Sequence, residues 1–175
     1  MRSVLVYGYG NPGRRDDGLG PAVVEALAPL GLEGVTLDAN YQPQVEDAAL
    51  VAECDAVIFV DADATGPEPF WFGALEPSDE VGFSTHSVRP AAVLALARGA
   101  FGGTTAGYVL GVRGYAFDEF GEQLTEGARR NLEAALAFLR SILVERRLEK
   151  HVRDHPRGAV RAGSPAAPAG EEGTR

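Results

Sequence analysis

The sequence of 175 residues contains a single cysteine, Cys54, and its apolar runs all fall short of the roughly 18 residues that cross a bilayer. One thiol excludes a disulfide within the chain. The first residues, MRSVLVYG, also lack the long apolar segment of a secretory signal peptide. We therefore expect a cytoplasmic protein that makes no contact with a membrane.

Positive charge is also scarce, because 16 lysines and arginines stand against 25 acidic residues and leave a formal charge of -9. A negative surface repels the phosphate backbone of nucleic acids, whose binding proteins usually present a basic face. Nucleic acid is therefore not an expected partner. No apolar stripe is left over after the predicted helices are packed, so we expect a monomer.

The common signatures of hydrolytic enzymes are missing as well. The chain has no G-x-S-x-G nucleophile elbow and no H-E-x-x-H zinc motif. Cys54 stands just before an apolar run, where we expect a small buried side chain that packs in the core rather than a reactive thiolate. Serine protease, cysteine protease and zincin chemistry thus have no support in the sequence.

What is present is an alternation of short apolar strands and amphipathic helices. Strands are predicted at 3–7, 34–37, 56–60, 70–75 and 108–112, and helices at 19–30, 45–53, 87–98 and from Thr125 onward. This order predicts an α/β fold, a three-layer sandwich around a twisted, mostly parallel central sheet of about five strands, with room for one antiparallel edge strand.

The end of the chain has a different composition, dominated by Ala, Gly, Pro and Arg. We expect a single α/β domain over residues 1–148 and a disordered tail over residues 149–175. His151 and His155 have a spacing that suits a metal on a helix. Pro156 and the lack of a third ligand favour a solvated tail instead.

The segment GYGNPGRRDDGLG, residues 8–20, follows the first strand and fits the dinucleotide fingerprint G-x-G-x-x-G. That fingerprint requires its third glycine, here Gly13, inside the first turn of a helix that faces the pyrophosphate. Helical periodicity resumes only near Leu19, and Asp16 and Asp17 would repel a phosphate. Asp38, near the end of strand two, does stand where such folds place a ribose-binding acid, so nucleotide binding stays an alternative.

A second interpretation treats the segment as a holder for carboxylates. Asp16 and Asp17 follow strand one and Asp61 follows strand three, so parallel strands would bring them to the same edge of the sheet, where His86 lies in a loop that can reach them. Two carboxylates and an imidazole suit a borderline divalent ion such as Ni, Zn, Fe or Co. Structural roles compete: Asp17 can cap the helix, Asp61 can cap a turn and His86 can be a surface residue. Spacing alone favours those structural roles.

The ordered set of motifs resembles the hydrogenase maturation endopeptidases, and the match runs from about residue 2 to residue 145. Its elements are a G-x-G-N loop that ends in an acidic pair and Gly, an apolar strand that ends in D-A, and an S-T-H-S segment; the residues are Gly8, Gly10, Asn11, Asp16, Asp17, Gly18, Asp61, Ala62 and His86. These enzymes remove a C-terminal extension from the large-subunit precursor of nickel-iron hydrogenase after nickel has been inserted.

The resemblance implies that Asp17, Asp61 and His86 bind nickel, which the precursor carries and the enzyme does not hold permanently. It makes the same three residues the catalytic set, with Asp16 or Asp17 as a base for a metal-activated water; the nucleophile stays unassigned. Asn11 and Gln42 are the expected substrate contacts. A non-proteolytic, nickel-dependent chaperone or checkpoint protein would use the same three ligands and is the alternative function.

One segment departs from the family. Many members have D-G-G-T-x-G after strand two, whereas this chain has Asp38-Ala39-Asn40-Tyr41-Gln42-Pro43-Gln44-Val45-Glu46-Asp47. Together with Gly111-Val112-Arg113-Gly114, the Gln42 form looks more like members that serve soluble, multimeric, cofactor-linked hydrogenases. The departure bears on which large subunit is the partner more than on the reaction.

Overall fold

The computed structural model describes residues 3–78 and 88–153. Five strands in this part of the chain form one sheet in the order β2-β1-β3-β5-β4. They are Val4–Tyr9 (β1), Val35–Asn40 (β2), Ala56–Asp63 (β3), Phe70–Leu75 (β4) and Ala106–Arg113 (β5). The first three pairings of that order are parallel, and β4 pairs antiparallel with β5 at one edge.

Helices cover both faces of the sheet. The described α-helices are Leu19–Leu27 (α1), Asp47–Ala52 (α2), Pro90–Gly99 (α3) and Glu126–Glu145 (α4), with 3-10 turns at Arg15–Gly18, Ala28–Leu30 and Leu148–His151. The predicted three-layer α/β sandwich with an antiparallel edge strand is therefore confirmed.

Side chains alternate between the two layers along each central strand. Val4 and Val6 of β1 pack with α1 and α4 in one cluster, whereas Leu5 and Tyr7 pack with α2 and α3 in the other. All four are fully buried, as expected for a strand that has helices on both sides. The apolar runs that predicted the strands thus serve two cores at once.

Most element boundaries differ from the predicted ones by a few residues. The first helix ends at Leu27 and tightens into a 3-10 turn, which stops at Gly31 with a φ of 53°. Glycine takes this left-handed conformation at no steric cost. At the other end of the chain, α4 begins as predicted, because the Thr125 hydroxyl accepts a hydrogen bond from the Ala128 amide at 3.2 Å and caps the helix.

The chain beyond residue 148 still packs on the domain. Leu148 is buried, Val152 packs against the same core, and the Arg153 amide donates to the Phe72 carbonyl at 3.1 Å. The fold thus includes residues 149–153, which the composition had assigned to the tail. The disorder predicted for residues 154–175, with His155, lies outside the described residues. None of the described helices combines the length and the hydropathy that crossing a membrane requires.

Candidate functional site at the carboxyl edge of the sheet

The candidate site lies where β1 and β3 end. Gly8 pairs with Val60, so that Tyr9 and Asp61 lie level on neighbouring strands. The start of α1 packs directly on these strand ends: a Cβ built on Gly20 would lie 2.3 Å from the Tyr9 carbonyl oxygen and 2.6 Å from that of Val60. The absence of a side chain at Gly20 therefore sets how closely the helix approaches the site.

The loop between β1 and α1 is held by its own polar groups. The Asn11 amide donates to Asp17 Oδ2 at 2.9 Å, and the Gly13 amide donates to Asn11 Oδ1 at 2.9 Å. Gly10 has a φ of 134°, and a Cβ there would lie 2.0 Å from the Asp17 carbonyl oxygen, so only glycine fits. The glycines of the motif thus shape a turn that presents Asp17.

The same loop lacks the geometry of a dinucleotide site. Residues Arg15–Gly18 form a 3-10 turn, and α1 starts at Leu19, so Gly13 precedes the helix instead of lying in its first turn. A helix that begins there cannot direct its first amides at a pyrophosphate bound by the glycines. The nucleotide-binding alternative therefore loses its structural basis.

Asp61 lies inside β3, two residues before its end, and not after the strand as predicted. Its Oδ1 accepts the Ala62 amide at 2.8 Å, and the Tyr9 side chain also hydrogen-bonds the carboxylate. Burial raises the pKa of Asp61 from 3.8 to about 7, and the negative charges of Asp17 and Asp63 add to the rise. Burial and the charge of Asp61 also raise the pKa of Tyr9 well above its ordinary value.

Asp17 and Asp61 are thus two neighbouring carboxylates that repel each other. Within residues 3–78 and 88–153, neither forms a salt bridge. Asp17 does not cap α1, whose N-cap is Gly18 with no side-chain bond; its one described side-chain bond comes from the Asn11 amide. Paired carboxylates that lack a counter-charge form a donor set that fits a divalent cation.

Asp16 is not placed to act as a base, and this corrects the sequence-based expectation. It has no exposed surface, and its two oxygens accept hydrogen bonds from Tyr115 N, Ala116 N, Thr125 N and Thr125 Oγ1 at 2.7–3.1 Å. Burial acts to raise the pKa of Asp16, but these hydrogen bonds outweigh it and hold the pKa below 3.8. An ionised, fully bonded and buried carboxylate can reach neither water nor substrate.

The remaining predicted site residues have three different outcomes. Asn11 lies in the site loop, where its Oδ1 is engaged with Gly13, so its substrate role stays a prediction. Gln42 is exposed in the loop after β2, next to Tyr41, which is 63% exposed, and near Val45, which is 51% exposed. His86 lies outside the described residues. No group of three metal-ligating side chains occurs among those that are described.

Two residues of the site were missed by sequence reasoning. Tyr9 contacts Asp61. If the predicted first strand had been extended by one residue past Gly8, it would have placed Tyr9 beside Asp61. Asp63 organises the next loop, because it accepts Trp71 Nε1 at 2.7 Å, the Thr65 amide at 2.8 Å and the Gly66 amide at 2.7 Å. Burial opposes the ionisation of Asp63, but these hydrogen bonds hold its pKa below the ordinary value.

Comparison with known proteins identifies the fold. No family model matches the sequence, and no curated protein matches it. Solved structures do match over most of the chain, and several of them are hydrogenase maturation proteases. The chain therefore has the fold of these proteins.

Three of these structures illustrate the likeness. The protease HycI from Thermococcus kodakarensis is 23% identical, with a TM-score of 0.63 over 82% of this chain and 93% of that one. The endopeptidase HybD from Escherichia coli is 24% identical, with a TM-score of 0.65 and the same coverage. A hydrogenase 2 maturation peptidase from a Thaumarchaeota archaeon is 24% identical, with a TM-score of 0.59 over 80% and 97%. At these identities the likeness establishes the fold, and at that level it confirms the resemblance drawn from the motifs.

Proposed function

We propose that this protein is a peptidase that removes the C-terminal extension of a nickel-iron hydrogenase large-subunit precursor and recognises the nickel that the precursor carries. The observation that carries the proposal is the pair Asp17 and Asp61. They are adjacent carboxylates without a described counter-charge, at the edge of the sheet where α/β folds bind their ligands. The fold shared with hydrogenase maturation proteases supports it.

In this proposal the nickel ion belongs to the substrate. Asp17 and Asp61 would supply oxygen ligands to it, and His86 would supply an imidazole. The loop bonds of Asn11 fix Asp17, and the Tyr9 side chain fixes Asp61, so that both ligands are oriented before the precursor arrives. A cation held next to the scissile bond polarises the peptide carbonyl or activates a water molecule. Nickel then serves as a docking point and as a check that insertion is complete.

The charge state of Asp61 links recognition to a proton. With a pKa of about 7, this carboxyl group is partly protonated at neutral pH until a cation arrives. Binding of the cation requires the carboxylate and therefore releases the proton. A precursor without nickel brings no charge to displace that proton, so it loses part of the binding free energy that a loaded precursor gains.

The direct test is to incubate the purified protein with nickel-loaded large-subunit precursor and to measure the precursor mass. We expect a shortened precursor with the wild type and no shortening with Asp17→Asn, Asp61→Asn or His86→Ala. Glu133→Gln is the control, because Glu133 is an exposed carboxylate in the middle of α4. An unchanged mass with the wild type, or full cleavage by His86→Ala, would reject the proposal.

A second candidate is a nickel-dependent chaperone or checkpoint protein that binds the loaded precursor without cutting it. The observation in its favour is that two candidate nucleophiles, Asp16 and Cys54, are both buried, so neither can attack a peptide bond. This function predicts a stable complex with the loaded precursor and an unchanged precursor mass. The same incubation, followed by gel filtration, separates the two candidates.

The exposed loop after β2 is the proposed contact for the large subunit. Gln42, Tyr41 and Val45 present one polar and two apolar side chains beyond the carboxyl end of the strand. Exposed aromatic side chains are common at protein interfaces. We expect Gln42→Ala to raise the KM for the precursor and to leave kcat near that of the wild type. A fall in kcat at unchanged KM would place Gln42 outside the docking surface.

A further inference from the structure

The loop that carries Asp17 is joined to a distant segment by hydrogen bonds in both directions. The Arg15 amide donates to the Gly121 carbonyl at 2.7 Å, and the Gly121 amide donates back to the Gly13 carbonyl at 2.9 Å. The Asp16 amide donates to the Ala116 carbonyl at 3.0 Å. Together with the four bonds that the Asp16 side chain accepts, these contacts are called the loop junction below.

Asp16 is the centre of the loop junction. Its Oδ2 accepts bonds from the Tyr115 amide at 2.8 Å, the Ala116 amide at 3.1 Å and the Thr125 hydroxyl at 2.8 Å, and its Oδ1 accepts the Thr125 amide at 2.7 Å. Only a carboxylate offers two acceptor oxygens and no donor, which is what four converging donors require. Because Asp16 is fully buried, no water can take its place at these amides.

The loop junction ends on a rigid element. The Thr125 hydroxyl that donates to Asp16 also accepts the Ala128 amide at 3.2 Å, as the N-cap of α4. This helix spans 20 residues and packs Ala135, Leu139 and Ile142 into the core. Asp16 therefore fixes the loop to a helix whose own position is set by core packing.

The backbone next to Asp16 is strained. Arg15 has a φ of 50°, in the left-handed region that residues other than glycine rarely adopt. Such a conformation persists only where surrounding contacts hold it. The contacts on either side are the Arg15 amide bond to Gly121 and the four bonds to the Asp16 side chain, so the loop junction holds this turn in its shape.

We infer that Asp16 is a positioning residue, which aims Asp17 at the cation through the loop junction. Asp17 follows Asp16 directly, and its amide donates to the Arg14 carbonyl at 3.1 Å across the same turn. If the bonds of Asp16 are lost, both ends of that turn become free to move. The bond from the Asn11 amide then no longer orients the Asp17 carboxylate. The expected effect on precursor cleavage rests on the proposed function, whereas the expected effect on the structure of the loop does not.

The test uses Thr125→Val, which removes the hydroxyl from the loop junction and retains the side-chain shape. We expect the amides of Asn11 and Arg15 to exchange hydrogen at least tenfold faster, while the Val6 and Ile58 amides of the sheet keep the wild-type rate. In the precursor assay kcat/KM for the nickel-loaded precursor should fall about tenfold, because Asp17 is a ligand of the nickel that the precursor carries. Thr125→Ser retains the hydroxyl and should restore both readouts. Asp16→Asn should show the larger effect where it folds.

Thr105→Val is the matched control, because it also removes a buried threonine hydroxyl, one that bonds Val51 and Cys54 carbonyls at the opposite end of the sheet. It should lower Tm and leave the exchange of Asn11 and Arg15 unchanged. Equal exchange of these amides in Thr125→Val and Thr105→Val at matched loss of Tm would overturn the inference. The exchange experiment decides this point even if the wild type cleaves no precursor, a result that would count against the proposed function alone.

Discussion

The polar groups at the two ends of the parallel strands differ in the partners that they have. At the amino end, Ser3 and Asp55 exchange hydrogen bonds of 3.1 Å before β1 and β3, and the buried Thr105 hydroxyl bonds the carbonyls of Val51 and Cys54 at 2.8 and 2.9 Å. At the carboxyl end, Asp17 and Asp61 carry like charge and lie close enough for Asp17 to raise the pKa of Asp61. The polar groups named at the amino end are hydrogen-bonded to each other, whereas no salt bridge among the described residues neutralises Asp17 or Asp61 at the carboxyl end.

In our proposal the amino end of the sheet contributes to stability and the carboxyl end to function. Satisfied buried polar groups contribute to the free energy of unfolding, and an uncompensated pair of carboxylates reduces it. Such a pair lowers the stability of the folded protein, and a ligand that binds to the pair can offset this loss. The difference between the two ends therefore supports the proposal of a ligand site at the carboxyl end, and each prediction below tests one side of it.

The largest effect is expected from removing the charge at the carboxyl end. Asp17→Asn or Asp61→Asn should lower kcat/KM for nickel-loaded precursor by more than about 100-fold, because a neutral amide is a poor ligand for the cation. Circular dichroism should show an unchanged fold. Activity within a few-fold of the wild type would contradict the placement of the site.

The next effect concerns pH. Because the pKa of Asp61 is raised to about 7, a proton competes with the cation below that value. Binding of nickel-loaded precursor should therefore weaken by roughly tenfold per pH unit as pH falls below 7. Calorimetric titration between pH 5 and pH 8 measures this slope. In Asp61→Asn the part of the slope that comes from Asp61 should be lost, leaving only the dependence that protonation of the His86 imidazole adds. An unchanged slope would assign the proton to another group.

A smaller effect is expected on stability. Asp61→Asn, which should lose activity, should gain in free energy of unfolding. A raised carboxyl pKa means that the folded state favours the protonated form, so the wild type loses stability as pH rises from about 4 through about 7. Asp61→Asn should exceed the wild type by on the order of 2 kcal/mol at pH 8, after allowance for partial exposure, and by little at pH 4. Urea unfolding at both values measures the difference; a destabilised variant at pH 8 would contradict it.

The smallest effect is expected at the amino end. Thr105→Val removes the hydroxyl that donates to the Val51 and Cys54 carbonyls, of which the Val51 carbonyl keeps its bond from the Cys54 amide. The free energy of unfolding should fall by about 1–2 kcal/mol. Processing per folded molecule should stay at the wild-type level, since no described contact of Thr105 reaches the site. Thr105→Ser, which retains the hydroxyl, provides the control. A specific loss of kcat in Thr105→Val would show that the two ends are coupled.

Local chemistry made most of the fold predictable. The strand at residues 70–75 and the cap at Thr125 have the predicted bounds, because apolar runs closed by turn residues and a threonine before a helix act within a few residues. The sequence also placed Asp17 and Asp61 at one edge of the sheet, because parallel strands align their ends.

The roles of two adjacent acids were not predictable in the same way. Asp16 and Asp17 are the same residue type in the same loop, yet the donors that enclose Asp16 lie 99 to 109 positions along the chain. Arg15, directly before Asp16, has a positive φ, and no local sequence pattern specifies that angle. The position of His86 relative to the carboxylates stays a prediction.

The last described residues bear on how the protein behaves at high concentration. β4 is an edge strand, and an unpaired edge invites the strands of other molecules. The Arg153 amide occupies the Phe72 carbonyl, while Leu148 and Val152 cover the apolar face beside it. Residues 148–153 thus cover part of the β4 edge, and we expect a protein shortened before Leu148 to aggregate at a lower concentration than the wild type, which light scattering measures.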